Sequence, residues 1–381
     1  MVSGKFNLTG IWWRHYVPMF IITLILLLPF TRSVFSEVGW RWVYILSLSL
    51  SLSFCLTPLF RWVALRFEIL DKPNARKMHD EATPLLGGAV IFFSFIIAIY
   101  INGIFSLKLG AILIASAILF IVGLIDDIKD VSAGLKLFVQ LLCAAIVVYG
   151  GIVLDVVPKS FHIYSDIFNI TLTIFWIIGI TNAMNFSDGM DGMAPGLGAI
   201  IAFFIGIVSF QANHPSVGWV SAAMMGSCIG FLPYNFLKKG KATIFLGDAG
   251  STVIGFVLAC LAVYGSWSKG NIFVSVASPL LIFWILIFDM IYITIYRIYT
   301  GKVDSLWQWL EYVGKDHLHH RLADALGSKK RSVLFIYLLT FCIGTSAVVL
   351  RNAITVDAFL ILVQASILVI LISVLERSGR N

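Results

Sequence analysis

The chain is built from apolar runs close to 20 residues long, the length an α-helix needs to cross about 30 Å of hydrocarbon. About twelve such runs occur, centred on 11–31, 42–60, 86–101, 109–125, 136–154, 167–183, 195–212, 218–236, 250–266, 274–296, 332–350 and 356–375. Lipid offers backbone N–H and C=O groups no hydrogen-bond partner, so each run reads as a helix. The expected fold is all-α, a polytopic transmembrane bundle of about 12 spans forming one membrane domain over 1–381. Composition agrees, because 59% of the 381 residues are hydrophobic and 12% charged, against roughly 25% charged in soluble domains. That charge deficit excludes an ordinary globular protein.

Arg14 and His15 interrupt the first run, and no small-residue cleavage site follows it, so it reads as a retained helix and not a signal peptide. If the N-terminus is cytoplasmic and each run spans once, 21 of the 27 Lys and Arg residues fall inside and six outside. The positive-inside rule therefore puts both termini in the cytoplasm. The net charge of +7 is explained by topology and contact with anionic lipid, without nucleic acid. The five cysteines sit inside apolar spans without metal-ligand spacing and read as packing residues.

Carboxylates at span ends carry an insertion cost and so need a reason. In this topology they gather on the cytoplasmic side. The segment 66–88 holds Asp71-Lys72-Pro-Asn-Ala-Arg-Lys-Met-His79, then Pro84-Leu-Leu-Gly87-Gly88. Lys72 and His79 suit phosphate, and the glycines would let backbone approach a ligand; a plain basic loop is the other reading. Asp126 and Asp127 end the fourth run, where residues 100° apart cannot meet one ligand atom alike, so one ligates while the other orients, or the pair only marks the interface. Asn182, Asn185, Asp188 and Asp191 close the sixth run beside Gly189 and Gly192, a pattern unlike lipid-facing helix.

Asp248, flanked by Gly247 and Gly250, starts the ninth run. It suits a hard cation beside phosphates, or a helix cap alone. The cytoplasmic segment 301–331 holds Asp316-His317-Leu-His319-His320-Arg321. His317 and His320 share a helical face beside Arg321 and together suit a diphosphate, although a solvated loop or transition-metal site also fits. Asp289 lies inside an apolar run eight residues before Arg297, and an intramembrane acid is functional or paired.

Taken in order, DKPNARKMH with PLLGG, GLIDD, TNAMNFSDGMDG, IFLGDAGST, IFD with Arg297, and HLHHRL extend from residue 71 to 322. This series resembles the polyprenyl-phosphate N-acetylhexosamine-1-phosphate transferases. The resemblance implies a ten-helix core with one extra span at each end, a bacterial inner-membrane location with the active site at the cytoplasmic face, and a homodimer. It implies transfer of HexNAc-1-phosphate from a UDP-N-acetylhexosamine to polyprenyl (undecaprenyl) phosphate, releasing UMP, as the first membrane step of a surface glycan. By resemblance Asp248 is the Mg²⁺ ligand, with Mn²⁺ as a substitute, and Asp126 and Asp127 lie near the lipid phosphate. Asp126, Asp127, Asp248, His317 and His320 are the catalytic candidates. Lys72, His79, Asn182, Asn185, Asp188, Asp191, Asn235, Asp289, Arg297, His319 and Arg321 are the substrate-binding ones. HxHHR resembles the UDP-GlcNAc branch; the alternative is the phospho-MurNAc-pentapeptide transferase. A twelve-span transporter is the distant reading, disfavoured because no two related halves or midplane site are evident.

Overall fold

Every apolar run forms helix. The computed structural model describes residues 10–71, 82–158, 163–237, 241–265, 267–268, 270–305, 308–309, 312, 314 and 316–378. Its helices are α1 (Gly10–Leu27), α2 (Pro29–Glu37), α3 (Arg41–Arg66), α4 (Gly87–Ile101), α5 (Leu107–Ile128), α6 (Ala133–Tyr149), α7 (Ile163–Ser187) and α8 (Met193–Gln211). They continue as α9 (Pro215–Asn235), α10 (Gly247–Tyr264), α11 (Ile272–Ile282), α12 (Trp284–Tyr299), α13 (Leu318–Leu326), α14 (Lys329–Leu350) and α15 (Thr355–Ser378). The 301–331 segment thus carries a helix of its own. The all-helical expectation needs one correction, a two-residue antiparallel ladder of β1 (Leu70–Asp71) on β2 (Thr83–Pro84). Lys72 and His79 lie outside the described residues.

The apolar runs differ in how fully each could span a membrane. Among the described residues eight helices are long and apolar enough to cross a membrane, or ten if two bent pairs each count once. The first predicted run bends by 76° between α1 and α2, where Pro29 has no N–H to donate to the preceding turn. Arg32 on α2 instead donates to the carbonyls of Ile101 and Asn102 at the end of α4 (2.8 and 3.2 Å). The tenth run bends by 79° between α11 and α12, one turn after Pro279. The third and fifth runs give only the 15-residue α4 and the 17-residue α6.

α10 is the axis of the bundle. It is buried almost throughout and packs against α4, α5, α7, α8 and α9, while 22% of the α15 span window is buried. Small residues let backbones touch at that axis, the route by which helices associate where lipid is as apolar as leucine. A side chain at Gly123 on α5 would place its Cβ 2.5 Å from Ala249 Cα, and one at Gly88 on α4 would meet Gly250 N at 2.3 Å. Gly87 and Gly88 also donate to the carbonyls of Phe245 and Leu246 (2.9 and 2.7 Å). The two glycines therefore serve helix contact, where the sequence had suggested contact with a ligand.

Gly123→Val should lower the thermal unfolding midpoint in detergent, by a destabilisation of about 1–3 kcal/mol or more, the cost of overpacking a tight contact. Gly110→Ala on the same helix, where an added Cβ meets nothing, should leave the midpoint unchanged or raise it. Equal behaviour of the two variants would show that α5 and α10 do not meet this closely.

Candidate active site

The ends of α5 and α7 and the beginnings of α6, α10 and α14 meet at one end of the bundle, around a cavity of about 1060 Å³. Eight carboxylates line it: Glu68, Asp71, Asp126, Asp127, Asp130, Asp188, Asp191 and Asp248. His320 from α13, Lys136 from α6 and the three lysines Lys241, Lys329 and Lys330 line it as well.

The two acids of α5 take different parts, as two directions 100° apart require. Asp127 turns to the start of α10, where Oδ1 accepts from the Asp248 N–H (2.7 Å) and Oδ2 from the Ala249 N–H (3.3 Å). A helix start has unsatisfied N–H groups and positive partial charge, so a carboxylate held there pins α10. Gly247 makes the approach possible: its φ is +77°, and a Cβ would meet the Asp127 carboxylate at 2.5 Å. Asp126 faces the other way. Its Oδ1 accepts from the Val131 N–H (2.8 Å), and its Oδ2 contacts the Lys136 ammonium, which also bonds Asp248 Oδ2 at 2.9 Å. Lys136 thus bridges Asp126 and Asp248. Sequence reading counted it only toward topology; the signal was Lys136 with Gln140, one turn apart on one face of an otherwise apolar helix.

The turn after α7 supplies the opposite wall. Asp191 accepts from the Ala242 N–H (3.1 Å). Asp188 is pushed well above the ordinary carboxylate range by burial, and further by the charges of Asp248, Asp127 and Asp191. Asn235 reaches the cavity wall but spends its amide on the Gly192 N–H (2.7 Å) and the Ile244 carbonyl (3.0 Å), tying two loops together. Asn185 bonds the Ser251 hydroxyl (2.9 Å), and Asn182 forms a reciprocal amide pair with Gln140 (2.6 and 3.3 Å). Neither asparagine lines the cavity.

Of the histidine segment, His320 alone among the described residues lines the cavity. Asp289 holds the other end: Oδ2 pairs with His317 Nδ1 (2.9 Å) and Oδ1 accepts from the Leu318 N–H (2.7 Å), capping α13. His319 is buried between the rings of His317 and His320, at 5.5 and 4.3 Å. A side chain on Gly189 would strike its Nε2. Arg297 is occupied by Asp316 in a two-pronged pair, both contacts 2.8 Å, with Tyr312 beneath it at 4.5 Å. Burial alone would raise the Asp316 carboxyl, yet the Arg297 guanidinium holds it below its ordinary value. Arg321 pairs with Glu376 on α15 (2.7 Å) and stacks over Tyr292 (3.8 Å). Both arginines are taken up by protein groups, and neither lines the cavity.

Comparison with known proteins bears on the same acids. Residues 109–266 match glycosyl transferase family 4, a stretch that contains six of the eight cavity carboxylates, Glu68 and Asp71 lying before it. The chain is 33% identical over 304 residues to the probable undecaprenyl-phosphate N-acetylglucosaminyl 1-phosphate transferase of Bacillus subtilis (strain 168), covering 78% of this chain and 82% of that protein. It belongs to the polyprenyl-phosphate N-acetylhexosamine-1-phosphate transferases. The decaprenyl-phosphate N-acetylglucosaminephosphotransferase of Mycobacterium tuberculosis (strain ATCC 25618 / H37Rv) is 31% identical over 313 residues, 73% of this chain and 74% of that one. A phospho-N-acetylmuramoyl-pentapeptide-transferase of Clostridium botulinum (strain Alaska E43 / Type E3) matches at 31% over 207 residues, 51% of this chain and 63% of that protein. This transferase is accordingly a multi-pass membrane protein.

Burial, then the neighbouring charges of His320, His317 and Arg321, holds the His319 imidazole well below its ordinary value. A histidine depressed on folding costs nothing above about pH 6.5 and loses stability as pH falls below it, because only the unfolded chain takes up the proton. The raised Asp188 works in the opposite sense, its contribution being present in acid and lost as pH rises. Subtracting a His319→Gln variant isolates the histidine. The thermal midpoint of the native protein relative to that variant should fall between about pH 7.5 and 5.5; a constant difference would remove His319 from the acid response.

Proposed function

We propose that the transferase moves GlcNAc-1-phosphate, or a closely modified HexNAc-1-phosphate, from a UDP-sugar to polyprenyl phosphate, with its cavity on the cytoplasmic face of the bacterial cell membrane. The observation that carries the reading is that the family match spans six of the eight carboxylates of this cavity, Asp126, Asp127, Asp130, Asp188, Asp191 and Asp248. The names of the Bacillus and Mycobacterium relatives support the GlcNAc donor and the polyprenyl acceptor. The 21-to-six distribution of Lys and Arg supports the cytoplasmic orientation.

In the transfer, an oxygen of the lipid phosphate attacks the sugar-bearing phosphorus of the donor. A new P–O bond forms there, the bond from that phosphorus to the bridging oxygen breaks, and UMP leaves with that oxygen. Such a reaction asks mainly for positioning and charge neutralisation. Two anionic substrates must enter a cavity already lined by eight carboxylates, so cations must offset the repulsion. Lys241, Lys329 and Lys330 stand on the cavity wall, and the Lys136 ammonium lies between Asp126 and Asp248, where both carboxylates hold one cation.

That position also fits Mg²⁺. Among the described residues no three His, Cys, Asp or Glu gather closely enough to hold a metal alone. Mg²⁺ asks for less, since it keeps several waters and takes one or two carboxylates together with substrate phosphates. Asp248, joined by Asp126, provides that set. When bound there, Mg²⁺, or Mn²⁺ in its place, would neutralise the donor's diphosphate and polarise its phosphoryl oxygens. Asp126 orients the incoming lipid phosphate, and His320 on the far side is placed for the diphosphate. We favour direct attack over a covalent intermediate on Asp248.

Purified enzyme with polyprenyl phosphate and Mg²⁺ should release UMP from UDP-GlcNAc or a modified UDP-HexNAc and not from UDP-MurNAc-pentapeptide; use of the pentapeptide donor alone would move the chain to the other branch. Chelation should stop turnover, and Mg²⁺ or Mn²⁺ restore it. Asp248→Asn should leave folded protein without measurable turnover at any Mg²⁺ concentration. Near-normal activity would reduce Asp248 to a helix cap.

A further inference from the structure

The buried pair of Arg321 and Glu376 joins the histidine segment to the last helix, both of which lie beyond the family match at 109–266. The Arg321 side chain is 7% exposed and that of Glu376 2%. A carboxylate buried at the end of a membrane span is costly without a partner, and one bound to a guanidinium over an aromatic face is held in place. Tyr292 of α12 supplies that face at 3.8 Å. The guanidinium is thus fixed from two helices, α12 and α15.

α13 packs chiefly on α14, with Leu318 and Leu322 buried in the core. It is a nine-residue helix, too short to be stable on its own, so its pose is set by what it docks on. Asp289 caps its start and Ser332 Oγ donates to the His319 carbonyl (2.8 Å). The Arg321 anchor adds α12 and α15 to this support and bears on rotation about the helix axis. Arg321 is 100° from His320 around that axis, so anchoring one side chain in the protein determines where the other faces. His320 is the α13 side chain that reaches the cavity.

We infer that Glu376 is a positioning residue: through Arg321 it holds His320 toward the donor's diphosphate, which makes the last helix a working part of the donor site and not only a lipid anchor. The inference rests on the donor reading of the cavity given above, while its mechanical half stands independently.

The test compares native protein with Glu376→Gln and Glu376→Asp. Amide hydrogen exchange over 318–326 should quicken roughly tenfold in Glu376→Gln, with kcat/KM for UDP-GlcNAc down by about tenfold and KM for polyprenyl phosphate within about twofold of native. Glu376→Asp, which keeps the charge with one methylene less reach, should recover part of both effects; it carries the same comparison if the glutamine variant does not fold. Unchanged exchange over 318–326 would overturn the inference. So would an equal loss toward both substrates that tracks the loss of folded protein. If native protein releases no UMP from any donor yet exchange quickens in Glu376→Gln, the donor reading fails and the link between Glu376 and α13 stands.

Discussion

The grip of Asp127 on the first N–H groups of α10, from 121 residues away in sequence, is the interaction on which the site depends. It aligns the end of one helix with the start of another and so decides which way Asp248 can face. The contact needs three things at once: a glycine at 247 that accepts a positive φ, a glycine at 123 that lets α5 lie on Ala249, and a carboxylate at the last turn of α5. With Asp127 committed to the backbone, Asp126 is left for Lys136 and the cavity. One adjacent pair thereby divides, Asp127 holding the start of α10 and Asp126 holding Lys136.

Charge compensation explains most of what surrounds that pair. A membrane protein has little water near its core, so each ionised group must find its counter-charge in the protein or in a ligand. Arg297 finds Asp316, Arg321 finds Glu376, and His317 finds Asp289. These pairs lie outside the cavity and brace the segment that bounds it. Inside, the carboxylates outnumber the cations that line the wall.

Much of this was legible in the residues. Twelve apolar runs became helices, and acids at the ends of successive spans converged, since in an up-and-down bundle alternate ends share a face. What stayed hidden was pairing across distance. Whether Arg297 or Arg321 meets a phosphate or a carboxylate depends on side chains far along the chain, and Glu376 sits in a run otherwise indistinguishable from a lipid anchor. The roles of Asp126 and Asp127 depended on the rotation of α5, set by Gly123 against α10. Neither bend was read from its run: Pro29 stands at the first, and the break at Phe283 follows a proline one turn earlier.

The short helices beside the cavity have a consequence for the surrounding bilayer. At 15 and 17 residues, α4 and α6 rise only about 22 and 26 Å, several ångströms less than the hydrocarbon thickness of about 30 Å. α6 turns Phe138, Leu141 and Leu142 outward, so lipid beside it must thin or dip to meet its ends. The dimple would form on the flank where Lys136 stands, one turn inside the helix start. A phosphate on a long prenyl chain would then enter sideways from the depressed headgroup layer, with its tail never leaving the oil.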